Sequence, residues 1–273
     1  MKPLTDLGKA TYHGYHGGLY ANGKNAAPQT YVKTGLARAK TVKPIDGKIV
    51  LLSIGMSNTT QEFSAFKRVA DADPRKNSAL PIVDGAQGGQ DAEIIKDPNA
   101  RFWTVVGARL SLAGASAAQV QAVWLKEAIA RESNPFPADA KRLKTDLAAI
   151  VAILQGKFPN LKLVYLSSRT YGGYASTALN PEPFAYDSGF AVKWLVLDRI
   201  AGKLKGPWLA WGPYLWTNGE QGRKDGLVWT CADTRPSDGT HPSASGQEKV
   251  AQLLLKFFTA DATAKPWFVS SAG

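Results

Sequence analysis

Lys48-Ile49-Val50-Leu51-Leu52-Ser53-Ile54-Gly55-Met56-Ser57-Asn58-Thr59 is the stretch on which the fold of this chain turns. From Ile49 to Ile54 only Ser53 interrupts an apolar run. A strand with one wet face would alternate, whereas a near-continuous apolar strand is buried on both faces, as in a parallel sheet. Gly55 ends the run, and Phe63, Phe66 and Val69 then recur every third residue, marking one face of a helix. The segment is therefore a strand, a tight turn and a helix, with a serine in the turn.

The same alternation extends along the chain. Strands are expected at Ala79–Val83, Gln119–Leu125, Leu161–Leu166 and Pro207–Leu215. Helices are expected from a cap at Asp139 through Leu143, Leu147, Ile150, Val151, Leu154 and Phe158, then over Ser188–Ile200 and Ser245–Phe258. Strands alternating with helices predict an α/β fold with a parallel sheet covered on both faces, here as a single domain over residues 48–273. Residues 1–47 form an irregular N-terminal arm, rich in glycine and aromatics between Thr11 and Tyr20. His13 and His16 within it lack a third ligand or carboxylate pair, so loop packing is expected of them rather than metal binding.

Composition narrows the function. The 273 residues suffice for one large buried core. Cys231 is the only cysteine, which excludes an intrachain disulfide and any zinc site built on several thiolates. Its surroundings, Val228-Trp229-Thr230-Cys231-Ala232, offer no activating context for a reactive thiol. The net charge of +11 is scattered with no basic run, which predicts a solvated surface. An anionic polysaccharide or cell envelope is the alternative partner; no nucleic-acid-binding signature accompanies the charge. No apolar run reaches the roughly 20 residues of a membrane span. The sequence as given opens without the apolar core of a signal peptide, and removal of a leader would leave the compartment open.

Ligand sites in parallel α/β sheets form at the carboxyl ends of the strands. The polar, glycine-containing segments fall there. Ser57 needs a positioned base to act as a nucleophile. Of the three histidines, His241 alone lies in a polar turn before a helix with an acid three positions earlier. Asp238 there can orient the imidazole while His241 removes the Ser57 proton. The order, serine early and Asp-x-x-His late, together with Thr59 in place of a second glycine, excludes the Gly-x-Ser-x-Gly elbow of α/β-hydrolases.

At these residues the chain resembles the SGNH/GDSL hydrolases. Gly55-Met56-Ser57-Asn58-Thr59 is similar to their first block, and more narrowly to the Gly-Gln-Ser-Asn form of carbohydrate acetylesterases such as sialate O-acetylesterases. Gly85-Ala86-Gln87-Gly88-Gly89-Gln90-Asp91 resembles the second block, and Asp238-Gly239-Thr240-His241-Pro242 the last. The likeness spans about Lys48 to Phe258. It implies a three-layer α/β/α sandwich of flavodoxin-like type with a five-stranded parallel sheet, and ester hydrolysis without metal or organic cofactor. It also implies an oxyanion hole from the N–H groups of Ser57 and Gly88, with Gly89 as the neighbouring choice for the second-block donor. Extracytoplasmic placement is favoured if a leader has been removed. The third block departs from the family: Trp124-Leu125-Lys126-Glu127 stands where an Asn or a Trp-x-Gln-Gly-Glu pattern is usual. Lys126 is able to donate to the oxyanion there, or to pair with Glu127 or another acid and shape the rim. Asn58, Gly89 and Trp124 are candidate substrate-binding residues.

A serine esterase for short acyl groups, acetyl first and carbohydrate as the alcohol, is the function expected. Trp208, Trp211, Tyr214, Trp216 and Trp229, with the Tyr171-Gly172-Gly173-Tyr174 loop, can stack on sugar rings or fill the core. An acyltransferase with the same triad and a non-catalytic glycan-binding domain are the rival classes. Oligomeric state does not follow from the residues.

Overall fold

The structure is a computed structural model and describes residues 1–270. Five strands form the central sheet: β1 (Val50–Gly55), β2 (Ile82–Asp84), β3 (Val120–Lys126), β4 (Leu163–Leu166) and β5 (Trp208–Trp211). Their order is β2-β1-β3-β4-β5, and every neighbouring pair is parallel. Successive side chains on a strand point to opposite faces. Val50, Leu52 and Ile54 accordingly meet α3 (Arg101–Leu112), α4 (Ala138–Lys157) and α5 (Phe184–Ile200), whereas Leu51 meets α1 (Gln29–Lys40), α2 (Ser57–Asp71) and α6 (Ala244–Ala260). The result is the expected three-layer α/β/α sandwich, with β1 buried at every position. No helix among the described residues is long and apolar enough to cross a membrane.

In this strand order the chain reverses its direction of growth between β1 and β3, and the crevice such a sheet offers a ligand lies there, at the carboxyl ends of the strands. Ser57 follows β1 and Lys126 closes β3, so both flank the crevice.

Four expectations need correction. The N-terminal arm is not irregular throughout: it holds the 12-residue helix α1 and a short hairpin pairing Thr11–Tyr12 with Tyr15–His16. Helix α3 was not anticipated between the second and third strands. Asp139 does not cap α4 but lies inside its first turn, accepting the N–H groups of Ser133 and Asn134 at 2.8 Å each. Strand β2 starts later than expected, because Pro81 has no N–H to give a ladder.

The arm is fastened to the sheet. Lys193 Nζ of α5 donates to the carbonyls of His16 and Gly17 at 2.6 Å each. Tyr31 Oη of α1 donates to Leu209 O at 2.9 Å, and Trp211 Nε1 to Leu19 O at 2.8 Å.

Candidate active site

Gly55 makes the turn after β1 possible. A Cβ there would collide with the Lys126 carbonyl and the Thr59 side chain, so only glycine lets β1 end this close to β3. Thr59 Oγ1 donates to that same carbonyl at 2.6 Å, tying the first turn of α2 to the end of β3. Ser57 is the first residue of α2. Its N–H belongs to the unsatisfied set at a helix start, which forms the positive end of the helix dipole.

The loop before α6 supplies the other two groups. His241 Nε2 lies 2.8 Å from Ser57 Oγ, and its Nδ1 lies 2.8 Å from Asp238 Oδ2. The second oxygen of Asp238 accepts the N–H groups of Thr240 and His241, both at 2.8 Å. Burial would raise this carboxyl, but those N–H groups and the imidazole outweigh it and hold Asp238 below the usual carboxylate range. Gly239 permits the loop, with φ of +62° and with no room for a Cβ against the Tyr174 carbonyl. Ser243 then caps α6, its side chain accepting from Gly246 N. The three residues, separated by up to 184 positions in the chain, form one hydrogen-bonded line.

Gly88 adjoins the nucleophile: a Cβ on it would lie 3.7 Å from Ser57 Cβ. Among the described residues neither the Gly88 N–H nor the Ser57 N–H has an acceptor within the chain. Gly89, with φ of +72° and open space around it, continues the turn. This loop is held from below by residues the sequence did not single out. Asp84 accepts Ser53 Oγ at 2.5 Å, Thr60 Oγ1, and Ala86 N at 3.1 Å. Arg109 of α3 donates to the Asp84 and Ala86 carbonyls at 3.0 and 2.6 Å. Desolvation raises the Asp84 carboxyl in spite of these donors.

The third-block residues lie elsewhere than expected. Lys126 Nζ contacts both oxygens of Glu62 at 2.7 and 2.6 Å, and the two side chains are 1% and 0% exposed. Its charge is directed at a buried carboxylate of α2 and not at the crevice, which corrects its candidacy as oxyanion donor and names Glu62, not Glu127, as its partner. Burial lowers this ammonium to about 8. Trp124 is wholly buried, stacks on Phe63 at 5.6 Å and donates to Ser167 Oγ, so it is a core residue and not a substrate contact. Asn58, 1% exposed, donates to Thr240 O at 2.9 Å and splices the nucleophile turn to the histidine loop instead of facing substrate. Trp208, Trp211, Tyr214, Trp216 and Trp229 all belong to the core. Tyr171 and Tyr174 are partly exposed, their rings 5.0 Å apart against Gly219; the Tyr174 backbone abuts Gly239, and its Oη donates to Trp229 O at 2.8 Å. Among the described residues no cluster of three potential metal ligands occurs.

Solved structures similar to this chain include a GDSL-like lipase from Bacteroides thetaiotaomicron, 11% identical, with a TM-score of 0.45 over 83% of this chain and 95% of the other. The periplasmic domain of the lipopolysaccharide acetyltransferase of Salmonella ser. Paratyphi A is 14% identical, with a TM-score of 0.45 over 85% and 89% of the two chains. No protein-family model and no curated protein matches the chain.

Proposed function

We propose that this protein is a serine esterase of the SGNH/GDSL type. The observation that carries the proposal is the line of 2.8 Å contacts from Ser57 through His241 to Asp238 at the carboxyl end of a parallel sheet. In the proposed cycle Ser57 Oγ attacks the ester carbonyl as His241 Nε2 takes its proton. The N–H groups of Ser57 and Gly88 stabilise the oxyanion. His241 then protonates the leaving alcohol, and water repeats the sequence on the acyl-enzyme. Asp238 keeps the imidazole in the tautomer that presents Nε2 as the base. No step calls on a metal or cofactor.

We propose further that the acyl group is short, acetyl first, and that the alcohol belongs to a carbohydrate. The Gly55-Met56-Ser57-Asn58 turn supports this, as does the partly exposed Tyr174, whose backbone abuts Gly239 of the histidine loop. The core placement of the five other aromatics withdraws them as support.

A fluorophosphonate tests the nucleophile. Stoichiometric labelling of Ser57 is expected, with labelling and hydrolysis both lost in Ser57→Ala; a Ser57→Ala enzyme that still turns over ends the proposal. Acetate release from acetylated polysaccharides, beside p-nitrophenyl esters of increasing length, tests the substrate. A preference for eight carbons or more contradicts the short-acyl reading. Added acceptor alcohols in the same assay separate hydrolysis from acyl transfer.

A further inference from the structure

Gly88 touches two spaces. It lies against Ser57, and it also lines a cavity of about 280 Å³ together with Gln87, Gln90, Arg101, Phe102 and Val105. Arg101 is the only charged residue in that lining, and no acid faces it there. Among the described residues its exposed guanidinium has neither an ion-pair nor a hydrogen-bond partner, as is also true of Arg38, Arg131 and Arg235; what sets Arg101 apart is its place in the lining beside Gly88. Gln87 commits its amide protons to the Gly85 and Phe102 carbonyls at 3.2 and 3.0 Å, so it forms a wall. Among the described residues the Gln90 side-chain amide has no hydrogen-bond partner. Phe102 and Val105 supply apolar surface. The cavity thus combines a free planar cation, one neutral donor and apolar walls, and shares a residue with the oxyanion position.

We propose that this cavity binds the carboxylate-bearing part of an anionic ester. A guanidinium fork matches a carboxylate in two parallel hydrogen bonds, which a neutral hydroxyl cannot reproduce. The volume of about 280 Å³ falls just below the range of about 300–1,000 Å³ usual for small-molecule sites, which suits part of a ligand, a ring or short chain carrying one carboxylate, and not a long acyl tail. The inference rests on the esterase reading of Ser57 and names the substrate class for it. The carboxylate is held beside Gly88 while the ester carbonyl reaches Ser57, so Arg101 determines specificity and takes no part in proton transfer.

Matched aryl acetates test the idea: 3- and 4-acetoxybenzoate against the corresponding acetoxybenzamides, which differ in charge and little in shape. The wild-type enzyme is expected to favour one of the benzoates by about tenfold in kcat/KM, the order of one charge-assisted contact. Arg101→Gln brings that ratio to about one, and Arg101→Lys restores part of it. Lys33→Gln, which removes one positive charge from the exposed face of α1, leaves the ratio as in wild type. Equal rates for acid and amide, a preference that survives in Arg101→Gln, or an enzyme whose Ser57 labels with fluorophosphonate but which hydrolyses none of the four esters overturns the inference. Failure of Ser57 to label overturns the esterase reading instead.

Discussion

Asp238 and Lys126 show how differently a partly exposed and a wholly buried charge are held. Asp238 is surrounded by donors, so its carboxylate persists well into acid: a depressed pKa contributes stability at neutral pH, lost only as pH falls through the folded-state value. Asp238→Asn keeps the shape but favours the wrong imidazole tautomer. Steady-state kinetics should show kcat down by about 10⁴ with the fold intact by circular dichroism. Lys126 and Glu62 form a dry ion pair under the nucleophile helix. Removing one partner leaves the other charge buried and alone, so Lys126→Met should destabilise by about 3–5 kcal/mol in urea titration. Replacing both, Lys126→Met with Glu62→Leu, should recover most of that loss; a double variant as unstable as the single one refutes this account. Ser57, Asp238 and His241 were legible because each sits in a polar turn beside a hydrophobic element. Glu62 was not, because its partner lies 64 positions away and nothing local in α2 distinguishes a helical glutamate from a solvent-facing one.

Legibility followed the thickness of the apolar pattern at the level of elements. Strand β1 and helix α4 carry long apolar series and were found from them. Among the described residues helix α1 buries Tyr31, Gly35 and Ala39, a narrow face with one large apolar side chain and two small ones, too sparse to mark a helix in the sequence. Gly35 is small for a reason: a Cβ there would strike the Trp208 ring, so the helix presses directly onto β5. Helix α3 did carry a signal, Phe102, Trp103, Val106 and Leu110 at helical spacing, and it fastens the Gly88 loop through Arg109. Arg109→Ala frees two loop carbonyls, and the Gly88 N–H then loses its fixed aim. We expect kcat to fall by as much as 10², the scale of one oxyanion donor, with KM changing far less. A matching fall in kcat and rise in KM would point to general loosening instead.

The strand order could not be read from the chain, since local patterns name strands without saying which are neighbours. Nor could the polar interior beneath the crevice. Burial pushes Glu132 up to about 8 and Asp187 to about 7, and raises Glu127 well above its ordinary range. Each is a carboxyl whose folded form holds its proton after the unfolded form has lost it. Between pH 4.5, the ordinary value for Glu132, and about 8 the folded molecule therefore binds more protons, and its stability declines as pH rises. Urea midpoints measured at pH 5.5 and 8.5 should differ in that sense, and Glu132→Gln should reduce the difference. A flat profile in the native protein contradicts the burial argument.

The hydrogen bond from Asn58 to the Thr240 carbonyl has a consequence for biosynthesis. The last strand of the sheet ends at Trp211, whereas Thr240, the acceptor for Asn58, and His241 follow 29 and 30 residues later in the chain. Until then the serine has no base and its turn no brace. On the proposed mechanism, competence to attack an ester therefore arrives only once the chain has been made through His241, and a product that stops short of it lacks the base.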